Sequence, residues 1–116
     1  MDRFRGMAML HVPLPAGRSL AVFVAERRLE RLVGLAGLRS PPPGGLLIPR
    51  CRSVHTFGMR FPLAILFVTL EGNRLCVHDA HPRVPPRRVV VASRAALERR
   101  GLAALELGGG HLQLIV

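Results

Sequence analysis

Apolar and polar positions change places along this chain in short blocks, most of them strand-sized. Leu20 to Ala25, with Val22, Phe23 and Val24 at its centre, is a compact apolar run that predicts a buried strand. The period then lengthens. Leu29, Leu32, Val33 and Ala36 recur at helical spacing while Arg27, Arg28, Glu30 and Arg31 face away, which predicts a helix over 26–35. Glu26 suits the positive end of that helix, and Gly34 and Gly37 end it. Ser40 to Gly45, with three prolines and two glycines, predicts a stiff surface loop. Leu46-Leu47-Ile48 is a brief strand stopped by Pro49, and 50–61 a semi-polar extended stretch. Pro62 holds Phe61 extended. Leu63 to Leu70, the most apolar window, predicts a central strand. After a turn at Glu71-Gly72-Asn73, Arg74 to His78 returns as its partner, and the prolines of 81–86 predict a loop. Arg88 to Ala92 is a further strand. Ser93 caps a short helix from Arg94 to Arg100, ended by Gly101. Leu102 to Leu107 and His111 to Val116 flank three glycines as a last strand pair. Residues 1–17 form a basic lead-in that can serve as an edge strand. The expected fold is a single α+β domain over 18–116, strand-rich, with a partly closed, barrel-like mixed sheet and one or two short helices.

Composition sharpens this picture in a few places. A chain of 116 residues with 49% apolar positions has room for one real core and is not disordered. No apolar run approaches the roughly 20 residues of a membrane-spanning helix. Met1-Asp2-Arg3-Phe4-Arg5 lacks the apolar stretch of a secretion signal, so the expectation is a cytoplasmic protein with reduced thiols at Cys51 and Cys76. Spacing alone leaves their pairing open. The formal net charge is +10, and all 17 basic residues are arginine. Arginine forks bind phosphates and carboxylates in bidentate fashion, but a GC-rich, bacterial-like coding sequence also replaces lysine by arginine whatever the function. The basic clusters are scattered, and the five aromatics are all Phe, with Phe57 and Phe61 the candidates for stacking on bases. This predicts non-specific polyanion or nucleic-acid association that weakens with salt.

Candidate chemistry centres on 50–60. In extended geometry Cys51, Ser53, His55 and Phe57 share one face, while Arg50, Arg52, Val54 and Thr56 share the other. Cys51 and His55 then stand about 13 Å apart, too far for a thiolate–imidazole pair without a bend. A hydrolase-like use of Ser53, Cys51 or His55 is the enzymatic alternative, and a structural role beside a groove is the plain one. Cys76, His78, Asp79 and His81 are zinc-ligand types in a spacing that is not a standard metal motif. Glu106 stands out among the acidic residues because it falls within an apolar strand, where an arginine partner is expected. Gly108-Gly109-Gly110 lacks the lysine and helix of a phosphate loop.

Several blocks, in order, resemble a known family. They are Glu26 to Leu35, Gly44-Gly45-Leu46-Leu47-Ile48, His55-Thr56-Phe57-Gly58-Met59-Arg60-Phe61-Pro62-Leu63 with the strand that follows, and Ala104-Leu105-Glu106-Leu107-Gly108-Gly109-Gly110. Together, over about 18–116, they resemble domain of unknown function family one-nine-two. The resemblance implies a compact strand-rich domain with a groove and implies no reaction. Ala64 stands where that family usually has Asp, which argues further against an enzyme. The sequence thus favours non-catalytic binding of a polar or anionic small ligand, without metal or cofactor. The expected site is a groove bordered by 50–60 and Arg87-Arg88, with Arg50, Arg52, His55, Thr56, Phe57, Arg60 and Glu106 as contact residues.

Overall fold

The computed structural model describes residues 4, 6–14, 17–27, 31, 34–40, 44–72 and 74–108. Eight strands and one short helix are found among them. The strands are β1 (Ala8–Pro13), β2 (Ser19–Val24), β3 (Gly45–Ile48), β4 (Ser53–His55), β5 (Leu63–Glu71), β6 (Arg74–Val84), β7 (Val89–Val91) and β8 (Ala103–Gly108). The helix, α1 (Arg94–Leu97), lies between β7 and β8. Six strands make one mixed sheet in the order β1-β2-β3-β8-β5-β6, and β4 pairs with β7 in a second, two-stranded sheet. The β2–β3 pair is parallel and every other pairing is antiparallel. The edge strands β1 and β6 approach each other, but no ladder joins them, so the sheet is open.

The pleat explains why β5 reads as an unbroken apolar run. Ala64, Leu66 and Val68 point to the concave side, where they meet Val12, Leu20, Val22, Leu47, Leu105, Leu107 and Leu75. Side chains from all six strands meet in this cluster. Leu63, Ile65 and Phe67 point the other way, into a layer closed by Val54, Met59, Val90, Ala92 and Ala96. Both faces are covered, so neither set of alternating positions can be polar.

Several expected boundaries move. The strand expected over 74–78 runs on to Val84, through the segment assigned to a proline-rich loop. Leu63 faces Val84 while Ile65 faces His81, so β6 holds an extra residue there. Pro82 lies in this bulge on an edge strand, where a missing N–H breaks no ladder bond. The helix after Ser93 is four residues long; the Ser93 hydroxyl accepts from the Ala96 amide at 3.2 Å, as expected of its cap. The amide of Ser93 itself donates to Asp79 Oδ2 at 2.9 Å, tying α1 to β6. Gly44 and Gly45 are buried rather than part of a surface loop, because Gly45 opens β3. The helix expected over 26–35 lies partly outside the described residues; within them the Arg31 amide donates to the Arg27 carbonyl at 2.9 Å, a helical spacing. The strand expected over His111–Val116 lies outside them altogether. Among the described residues no helix is long and apolar enough to cross a membrane.

Candidate functional site

Glu106 occupies an unusual position for a carboxylate. It lies on β8, third from the edge of the six-stranded sheet, paired in register with Leu46 on β3 and Ile65 on β5. Its neighbours Leu105 and Leu107 face the concave cluster, so the pleat turns Glu106 toward the second layer. It is 1% exposed. Burial pushes its pKa up from 4.5 to about 7, against a smaller opposing effect of the Leu35 backbone N–H on the carboxylate. Oε1 has no hydrogen-bond partner.

Above Glu106 is a hollow of about 50 Å³, walled by Arg31, Gly34, Cys51, Ser53, His55 and Met59 among others. Gly34 is needed there for two reasons. Its φ is +56°, and a Cβ would stand 3.0 Å from Glu106 Oε1. Among the described residues, His55 on β4 carries another buried polar atom without a partner, Nδ1. The Cys51 S–H donates to the Ser53 carbonyl at 3.1 Å. Burial carries the Cys51 pKa above the ordinary thiol value, against smaller lowering effects of the Ser53 backbone and the Arg31 charge and with a small upward push from Glu106. The group is therefore a neutral thiol at pH 7. Cys51 and Cys76 are both free.

Among the described residues no arginine pairs with Glu106, so the partner expected from the sequence is not found there. Arg31 reaches the hollow, but its guanidinium donates to the carbonyls of Pro49 and, at 3.0 Å, Arg50. Among the described residues the ion pair found is His81–Asp79, at 3.2 Å.

The seven residues expected at the site part company. His55 and Glu106 share the hollow. Arg50 and Arg52 line a second hollow with Arg99 and Arg100. Phe57 is 52% exposed, its ring centroid 5.9 Å from that of His55, and Arg60 is exposed. Thr56 is fully buried and occupied: its hydroxyl donates to the Pro85 carbonyl at 2.7 Å and accepts from the Arg88 amide at 2.9 Å. Its backbone N–H donates to the Arg88 carbonyl at 2.8 Å. These bonds pin 85–88 against 56. Thr56→Val is expected to lower stability by about 1–3 kcal/mol, since it leaves the Arg88 amide unmet; chemical denaturation of both proteins measures it.

Sequence reasoning did not single out Arg31, Gly34 or Met59 as parts of the site. The helical period placed Arg31 on an outward face, and its engagement with Pro49 and Arg50 depends on a contact 18 and 19 residues away. The residues of zinc-ligand type separate as well. Phe67 faces Asp79 and Val68 faces Val77, so His78 is an extra residue at a bulge. Its Nε2 lies 2.7 Å from Thr69 Oγ1, while His81 turns to Asp79. Among the described residues no group of three or more His, Cys, Asp or Glu could hold a metal ion. Ala64, where Asp was the usual residue of the resembling family, is buried in the concave apolar cluster. Comparison of the chain with protein-family models, with curated proteins and with solved structures found no match.

Proposed function

We propose that the protein is a non-catalytic binding domain whose hollow over Glu106 receives the polar end of a small ligand. The observation that carries this reading is the pair of unpartnered buried atoms, Glu106 Oε1 and His55 Nδ1, on residues that line one cavity. A buried polar group left unmet costs about 1–3 kcal/mol, and two beside the same cavity favour an occupant that pairs with both. At about 50 Å³ the space takes a few heavy atoms, such as an amide, hydroxyl or amine terminus, with the rest of the ligand at the rim beside Phe57. Ionised Glu106 only accepts hydrogen bonds, and Arg31 is engaged by carbonyls, so above the raised Glu106 pKa this hollow favours a donor over an anion. Of the hydrolase alternative through Ser53, Cys51 or His55, the Cys51 branch is weakened, because nucleophilic attack by cysteine needs a thiolate and burial raises the Cys51 pKa.

We further read the sheet as an opened barrel, given the six-strand concave cluster, and the chain as a divergent relative of domain of unknown function family one-nine-two, given the motif blocks. Titration with acetamide, urea and ethanolamine, followed by amide NMR, tests the binding reading. Shifts confined to Leu35, Val54 and His55, and abolished in Glu106→Leu, are expected. If every probe shifts only residues away from the hollow, the reading fails.

A further inference from the structure

The Glu106 hollow leaves most of the arginines unused, and four of them meet elsewhere. Arg50 and Arg52, just after β3, and Arg99 and Arg100, in the turn between α1 and β8, line a hollow of about 340 Å³. All four are exposed, and none of their guanidiniums makes an ion pair among the described residues. Glu98 lies on the wall without pairing to them. Four like charges around one concavity repel each other, and an anion relieves that repulsion. The walls are fixed by backbone. Arg50 is held in a left-handed conformation, φ +49°, and its carbonyl accepts from Arg31. The Cys51 amide donates to the Leu102 carbonyl at 3.0 Å, and the Ala92 amide donates to the Arg52 carbonyl at 2.9 Å, joining these segments.

A second cavity, of about 320 Å³, opens beside the first and has the opposite character. Leu10, Val24, Leu47, Leu70 and Ala103, from five of the six strands of the main sheet, make it apolar. Arg50 and Gly101 line both cavities. An apolar trough at the mouth of a curved sheet, sharing Arg50 with a hollow lined by four arginines, matches a molecule with two unlike ends. A plain anion would leave the trough empty, and an uncharged apolar ligand would leave the arginines unmatched.

We infer that the two adjoining cavities, which share Arg50 and Gly101, together bind a monomeric amphipathic anion, a single alkyl or acyl chain bearing a phosphate or carboxylate head. The chain lies in the Leu10–Val24–Leu70 trough, and the head is held by Arg50, Arg52, Arg99 and Arg100. This site is separate from the Glu106 hollow, so either proposal can fail without the other.

Calorimetry with decyl phosphate below its micellar concentration tests it, with inorganic phosphate and decanol as the two halves. Decyl phosphate is expected to bind at least tenfold tighter than either half. Arg50→Asn combined with Arg99→Gln, in which Asn tolerates the left-handed backbone, is expected to weaken it tenfold or more. The charge-matched pair Arg74→Gln and Arg83→Gln, on β6, should leave it within twofold. Leu10→Asn should weaken decyl phosphate and leave inorganic phosphate unchanged. Equal affinity for inorganic and decyl phosphate overturns the inference, as does an equal loss in both arginine pairs. Binding to anionic lipid vesicles without binding to monomeric decyl phosphate also overturns it and points to a membrane surface instead.

Discussion

Gly44→Ala is expected to destabilise the protein by roughly 3 kcal/mol or more, the upper end for an inserted methyl group. A Cβ at Gly44 would stand 2.1 Å from the Ala21 carbonyl oxygen and 3.2 Å from its carbon. The obstacle is backbone of β2, which is hydrogen-bonded into the sheet and cannot turn aside as a side chain would. Gly44 does not adopt a positive φ, so its need for glycine is one of space alone. At Gly45 the nearest atoms are the Leu107 Cδ2 at 2.6 Å and the Leu105 Cδ1 at 3.0 Å, both ends of flexible side chains. Gly45→Ala is therefore expected to cost less than Gly44→Ala. A domain of this size has only about 5–15 kcal/mol in hand, so the first variant should melt roughly 10 °C or more below the parent. Thermal unfolding of the three proteins gives the ordering. A Gly44→Ala melting point within a degree of the parent would show that β2 and β3 do not approach so closely.

The second large effect is a pH dependence carried by Glu106. Its folded pKa, about 7, lies above the ordinary 4.5. The folded state therefore holds the proton more tightly than the unfolded chain. Its contribution to stability is fully present below pH 4.5 and is lost as pH rises through 7. The gap between the two values corresponds to about 3 kcal/mol. Glu106→Gln removes the ionisation and keeps an acceptor for the Leu35 amide. The parent is expected to lose about 3 kcal/mol relative to this variant between pH 4.5 and 8, which denaturant unfolding across that range measures. The difference between the two proteins isolates Glu106 from the general effect of a net charge of +10. Parallel pH curves would mean that the carboxyl is solvated or paired. A ligand whose donor meets Oε1 is expected to flatten the parent's curve at high pH, linking this measurement to the proposed binding role.

Much of the chain's course was open to local reading. Leu63–Leu70, Leu46–Ile48, Leu20–Val24 and the Ser93 cap all rest on period, side-chain shape or a hydroxyl three residues from its amide. Each of these is a property of a few neighbours. The strand through Pro82 was not open to such reading. Proline is excluded from a ladder only where its N–H is needed, and the bulge that lifts that need is set by the register against β5. Nor did the glycine pair announce a buried crossing, since loops and tight packing both select glycine.

The site divides along the same line. Residue type and alternation within an apolar strand marked Glu106, and the polar stretch before Pro62 marked His55. That these two face one cavity, while Arg50 and Arg52 stand with Arg99 and Arg100, depends on which strands lie side by side. Alternation along β8 says that Glu106 faces away from Leu105 and Leu107. It does not say what covers that face, because the cover comes from β4 and the β2–β3 crossover, more than fifty residues away in places. Period and side-chain chemistry are local and were present in the chain from the start. Charge partnership, burial and cavity walls arise from contacts between distant segments, and came into being when the sheet assembled.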